Sequence, residues 1–163
     1  MADEVQALEY EAFVFLRRNT VPVPGGYAGH AGWGFQAEDG GYYGGGTENT
    51  SGEPVVVPPS DNGAWISRFD SSEELFAAMR GLDYGEYKIS RHRLDCDSDA
   101  AVAQGEANRD RGYDFAGNNC LHHTAFVLEA YGVGIALPSL SDHPYPSDWF
   151  DRLDADIWTA DSV

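Results

Sequence analysis

The chain has 163 residues and a formal net charge of -17. That length suits a single domain, 1–163, with a usable hydrophobic core, and the acidity argues against nucleic acid or an anionic membrane surface as partners. No apolar run reaches the roughly 18 residues of a membrane span.

The opening Met1-Ala2-Asp3-Glu4-Val5 is acidic and lacks the basic and apolar regions of a signal peptide, so a cytoplasmic location is expected. Two cysteines, Cys96 and Cys120, are too few for a disulfide scaffold. The charge reads first as solubility or salt adaptation, and more sharply as a preference for a basic substrate. The 19 glycines and the aromatic content suggest strands and tight turns.

In chain order, Phe13-Val14-Phe15 predicts a strand from about residue 11 to 18, ended by Pro22, Pro24, Gly25 and Gly26. In His30–Gln36, His30, Gly32 and Gly34 alternate with Ala31, Trp33 and Phe35, which predicts a strand with one buried face. Its glycine face would leave room for another backbone or a substrate to approach His30 closely. Glu38-Asp39-Gly40-Gly41 has hairpin chemistry, and residues 42–48 return as a strand or glycine loop carrying Tyr42, Tyr43 and Glu48.

The prolines around Val55-Val56-Val57 predict a loop with at most an edge strand. Trp65–Phe69 reads as a short strand. Asp70 to Glu74 starts a helix with cap residues and early acids, and Gly81 stops it. Residues 86–94 alternate as a strand, and residues 95–112 read as a polar helix. Cys120 opens an amphipathic helix that ends near Gly132, and Ser147–Leu153 forms a last short helix.

The chemistry gathers at Asn118-Asn119-Cys120. A thiol at a helix N-terminus feels unpaired N–H groups and the positive end of the dipole, which lower its pKa. A cysteine hydrolase further needs an imidazole and oxyanion donors. Cys120 is the candidate nucleophile, His30 the base, and Asn118, Asn119 and the backbone N–H groups of the helix mouth the donors. His122 points away from Cys120 on a helix, leaving His123 as the second choice of base. Gln36, Tyr42, Tyr43, Glu48 and His92 are all candidates to orient the imidazole.

Other readings are weaker. Cys120, His122 and His123 are zinc-type ligands, but adjacent histidines on a helix diverge and no second ligand cluster accompanies them. Asp95, Asp97 and Asp99 alternate like a calcium loop that Ala101 and Val102 interrupt, with no closing glutamate. The glycine runs precede no Lys-Ser or Lys-Thr. No metal and no cofactor is therefore expected.

A histidine on a glycine-rich strand, Gly29-His30-Ala31-Gly32-Trp33-Gly34-Phe35, precedes Tyr113 through Asn119-Cys120 into Phe126, Leu128 and Gly132-Val133. This order resembles the circularly permuted branch of the NlpC/P60-like, papain-like superfamily, which includes lecithin:retinol acyltransferase-like proteins and PPPDE-type peptidases. The resemblance implies a Cys120–His30 catalytic pair with a third member near Tyr42 to Glu48.

It also implies a permuted papain-like α+β fold, with an antiparallel sheet packed against the cysteine helix. The expected function is thiol-dependent hydrolysis or acyl transfer at an amide bond of a peptide, protein or other amide substrate. The alternative is a non-catalytic binding module on the same scaffold.

Overall fold

The computed structural model describes residues 9–48, 62–92, 96–114 and 117–163. The expected loop around Val55–Val57, the last residues of the 86–94 strand and Asp95 lie outside them. Strand β1 is Tyr10–Arg17, β2 Pro22–Val23, β3 Gly26–Tyr27, β4 His30–Gln36, β5 Tyr42–Thr47, β6 Ala64–Phe69, β7 Glu86–His92 and β8 Trp158–Ser162. Helix α1 is Ser72–Gly81, α2 Ser98–Ala107, α3 Cys120–Tyr131 and α4 Pro146–Asp151. Six strands form one antiparallel sheet in the order β6-β5-β4-β1-β7-β8, and β2 and β3 make a separate small hairpin. The protein is α+β. Among the described residues no helix is long and apolar enough to cross a membrane.

Strand β1 is central, and its sequence shows why. Ala12, Val14 and Leu16 enter one core and Phe13 and Phe15 the other, all fully buried. A strand covered on both faces must be apolar at every position. On the first face lie Leu121, Ala125, Val127, Leu128 and Tyr131 of α3, with α2 beside it and Trp149 and Phe150 of α4. On the second lie Leu75 and Met79 of α1 with Tyr84. Helix α1 begins where Ser71 Oγ accepts from Glu74 N at 3.2 Å. Helix α3 ends at Gly132, whose φ of 112° suits a residue without a Cβ.

The glycine face of β4 has a different occupant from the one expected. A Cβ on Gly32 would stand 2.9 Å from both Met79 and the Tyr84 oxygen, and one on Gly44 would stand 2.3 Å from Leu75. The missing side chains admit the side chains of α1 and Tyr84 to the sheet, where another backbone or a substrate was expected. On the opposite face the Trp33 ring fills the space above Gly45 and beside Gly105 of α2. The small hairpin and β8 were not anticipated, and the polar helix is shorter than expected, capped by Asp97 and ending at Ala107.

Candidate active site

Three elements converge where α3 meets the first residue of β4. Asn119 is the N-cap of α3, its Oδ1 accepting from Leu121 N at 3.0 Å and His122 N at 3.4 Å. This fixes Cys120 in the first turn, 3% exposed. The thiol is hydrogen-bonded to the His30 imidazole, accepts from the backbone N–H of Ala31, and meets the hydroxyl of Tyr113. That hydroxyl also receives the N–H of Cys120 itself.

His30 Nε2 lies 3.1 Å from Glu48 Oε2. A carboxylate only accepts, so Nε2 carries the hydrogen and Nδ1 is the ring nitrogen left for sulfur. Glu48 follows β5 directly, and hydrogen bonds hold both of its oxygens. Oε2 accepts from Arg17 Nη2 at 3.2 Å as well as from His30. Oε1 accepts from Trp65 Nε1 and the Tyr84 hydroxyl, each at 3.0 Å.

The electrostatics follow from this arrangement. Burial opposes a charge on each member, but the members charge one another. Burial pushes the Cys120 thiol up, yet the facing His30, the Ala31 N–H and Tyr113 bring it below its usual value. Burial pushes His30 down, yet Cys120 and Glu48 raise it to about 9. Burial raises Glu48, yet His30, Trp65 and Tyr84 hold it at about 2. The arrangement favours the charged form of each group, a thiolate, an imidazolium and a carboxylate in one line.

Tyr113, Asn119 and Cys120 line a cleft with Val21, Ala28 and Gly29 on one side and Pro144, Tyr145 and Pro146 on the other. Its free volume is about 20 Å³, room for one water molecule. The second wall is latched to the first: Ser147 N and Ser147 Oγ both donate to Ala28 O at 2.9 Å. Val21 adopts φ of 58°, a left-handed conformation that a β-branched residue rarely takes.

The remaining candidates lie elsewhere. Tyr42 sits at the far end of β5 from Glu48, its hydroxyl donating to Glu11 Oε1 at 2.7 Å. Gln36 ends β4 at the opposite end from His30, and Tyr43 stacks on Phe35. His92 Nε2 is 2.7 Å from Ser90 Oγ.

Asn118 is turned away from the sulfur. Its Nδ2 donates to Arg111 O at 2.6 Å, which faces its Oδ1 to His123 Nε2 at 2.7 Å. His123 therefore donates from Nε2 and accepts at Nδ1 from the Thr47 hydroxyl, 2.6 Å away. Burial brings it down to about 4, so it is a neutral brace between α3 and β5 rather than a base. His122 instead faces the cap, its Nδ1 3.1 Å from Asn119 Oδ1.

Three residues of the constellation were not anticipated: Arg17, Tyr84 and the site role of Tyr113. Trp65 read only as the first residue of a short strand. No family model matches the chain, and neither a curated protein nor a solved structure is found to be similar to it.

Proposed function

We propose that the protein is a thiol-dependent hydrolase or acyltransferase acting on an amide bond of a peptide or protein substrate. What carries the reading is the hydrogen-bonded line Cys120–His30–Glu48, in which each neighbour favours the charged form of the next. Cys120 Sγ attacks the carbonyl carbon. His30, as imidazolium, gives its proton to the leaving amine, and the acyl group stays on sulfur as a thioester. His30 then takes a proton from water or an acceptor amine, which attacks the thioester and frees the thiolate.

Glu48 keeps the imidazole oriented and charged. The backbone N–H of Cys120, one of the helix-mouth donors expected, and the Tyr113 hydroxyl beside the sulfur serve the oxyanion, while the Asn118 amide is turned to Arg111. The arrangement is in keeping with the permuted papain-like resemblance in its order, histidine strand before cysteine helix, and in a third member within Tyr42 to Glu48, here a glutamate braced by Arg17. The acidic surface suits a basic substrate and a cytoplasmic setting.

One observation favours the alternative of a non-catalytic scaffold: Cys120 is nearly buried under a latched wall. The two readings part on covalent chemistry. Incubation with a panel of activated acyl esters, quenched in acid and followed by mass spectrometry, should trap an acyl group on the Cys120 peptide. Cys120→Ala should trap none, and His30→Ala at least about a hundredfold less, the scale of a lost acid–base group. Equal acylation of the wild type and His30→Ala, or none in either, overturns the catalytic reading.

A further inference from the structure

Tyr84 touches three members of the charged network. It is 1% exposed. Its hydroxyl donates to Glu48 Oε1 at 3.0 Å. Its ring packs on that of His30 with centroids 5.7 Å apart, and the Arg17 guanidinium lies 5.0 Å above its centre. The hydroxyl reaches this position because two side chains are missing. Gly32 and Gly46 are register partners on β4 and β5. A Cβ on them would lie 2.9 Å and 3.1 Å from the Tyr84 oxygen, too close for ordinary contact. Trp65 Nε1 holds the same carboxylate oxygen. With Oε1 engaged by two donors, Oε2 is the oxygen presented to His30.

We propose that Tyr84 is a positioning residue of the Cys120–His30–Glu48 site: its hydroxyl, seated in the slot left by Gly32 and Gly46, holds the Glu48 carboxylate in the rotamer that meets His30 Nε2. The proposal rests on the acyl-transfer reading above. It accounts for glycines at a cross-strand pair where strand propensity favours β-branched residues. It also separates two ways in which the hydroxyl could matter. A donor that merely competes for Glu48 would weaken its pull on His30, so its removal would strengthen the charged pair. A donor that fixes the carboxylate in place would, when removed, weaken it.

The test is the rate of Cys120 alkylation by iodoacetamide against pH, read by mass spectrometry of the Cys120 peptide. It is run on the wild type, Tyr84→Phe and Gly32→Ala. Tyr84→Phe keeps the ring against His30 and removes only the donor. Gly32→Ala keeps the donor and crowds it out of its slot without meeting Glu48, whereas a Cβ on Gly46 would also stand 3.2 Å from Glu48 Oε1.

The acid limb of both variants should lie at least about half a pKa unit above that of the wild type, so that well below its midpoint they react about threefold more slowly relative to their own alkaline plateaus. An acid limb that stays in place, or moves to lower pH, in a Tyr84→Phe protein that still melts cooperatively overturns the proposal and leaves the acyl-transfer reading standing. A wild type that reacts only through an ordinary thiol ionisation near pH 8.5 overturns that reading itself. If Tyr84→Phe does not fold, the same displacement or its absence in Gly32→Ala decides.

Discussion

Glu48 ties the chemistry of the site to the stability of the fold. Its carboxyl is held at about 2 against an ordinary 4.5, so the folded state gains from its ionisation. The sign follows from linkage: the gain is present above about pH 4.5 and is lost as pH falls toward 2. Such a shift corresponds to something on the order of 3 kcal/mol for a mostly buried group.

Glu48→Gln should therefore be less stable than the wild type at neutral pH, and the two should converge in denaturant midpoint as pH falls through that window. Parallel midpoints across the window would contradict the assignment. His30 acts in the opposite direction, its contribution present below the ordinary histidine value and lost as pH rises through about 9.

At this scale the sequence was informative where residue type and neighbours sufficed. Cys120 stood behind a cap, and His30 stood among glycines. Glu48 was one of five candidates because strand alternation does not say which end of β5 meets β4's first residue. Tyr84 and Arg17 left no local signal, since a buried hydroxyl and a strand-end arginine acquire meaning only through their partners.

Among the elements, α2 shows how closely the layers approach. Gly105 faces the Trp33 ring, and a Cβ there would meet Trp33 and Ile66 at 2.9 Å. Replacing a helical glycine by alanine ordinarily gains about 1 kcal/mol of helix propensity. Overpacking a fixed core costs about 1–3 kcal/mol, and Trp33 is 1% exposed with no space to retreat. Gly105→Val combines a poorer helix former than alanine with a larger clash, so chemical denaturation should show a loss of about 1–3 kcal/mol. A gain would mean that the α2–sheet contact is looser than described.

Alternation foretold β4 and β7, β-branched and aromatic residues foretold β1, hairpin chemistry foretold a strand or glycine loop at β5, and caps foretold α1 and α3. Strand β8, Trp-Thr-Ala-Asp-Ser, escaped notice because it is a mostly exposed edge with one buried side chain. The two-residue strands β2 and β3 are too short to carry a period. The glycines of β4 and β5 were recognised as a space, but which body fills a space is decided by topology, and α1 with Tyr84 arrives from forty residues or so later in the chain.

The whole molecule assembles its site from distant pieces. Arg17, His30, Glu48, Tyr84, Tyr113 and Cys120 are brought together by a sheet whose centre is β1 and by a helix mouth docked at the end of β4. The same assembly closes the cleft, with the Pro144–Pro146 wall latched through Ser147 to Ala28. A strongly acidic surface surrounds a site in which Arg17 and His30 offset the charges of Glu48 and Cys120, so the charged pair is insulated from solvent rather than screened by it. Local patterns announce only Cys120 and His30, because Arg17, Tyr84 and Tyr113 are ordinary where each stands in the chain.

The central claim is that Cys120 is a thiolate because His30 faces it. Its most direct test is the ultraviolet absorbance of the thiolate during a pH titration, taken as the difference between the wild type and Cys120→Ser so that Cys96 cancels. The account predicts that the wild-type thiolate forms below the ordinary cysteine range, and that in His30→Ala its ionisation returns to about pH 8.5 or above. Absorbance that first rises near pH 8.5 in both proteins would contradict it.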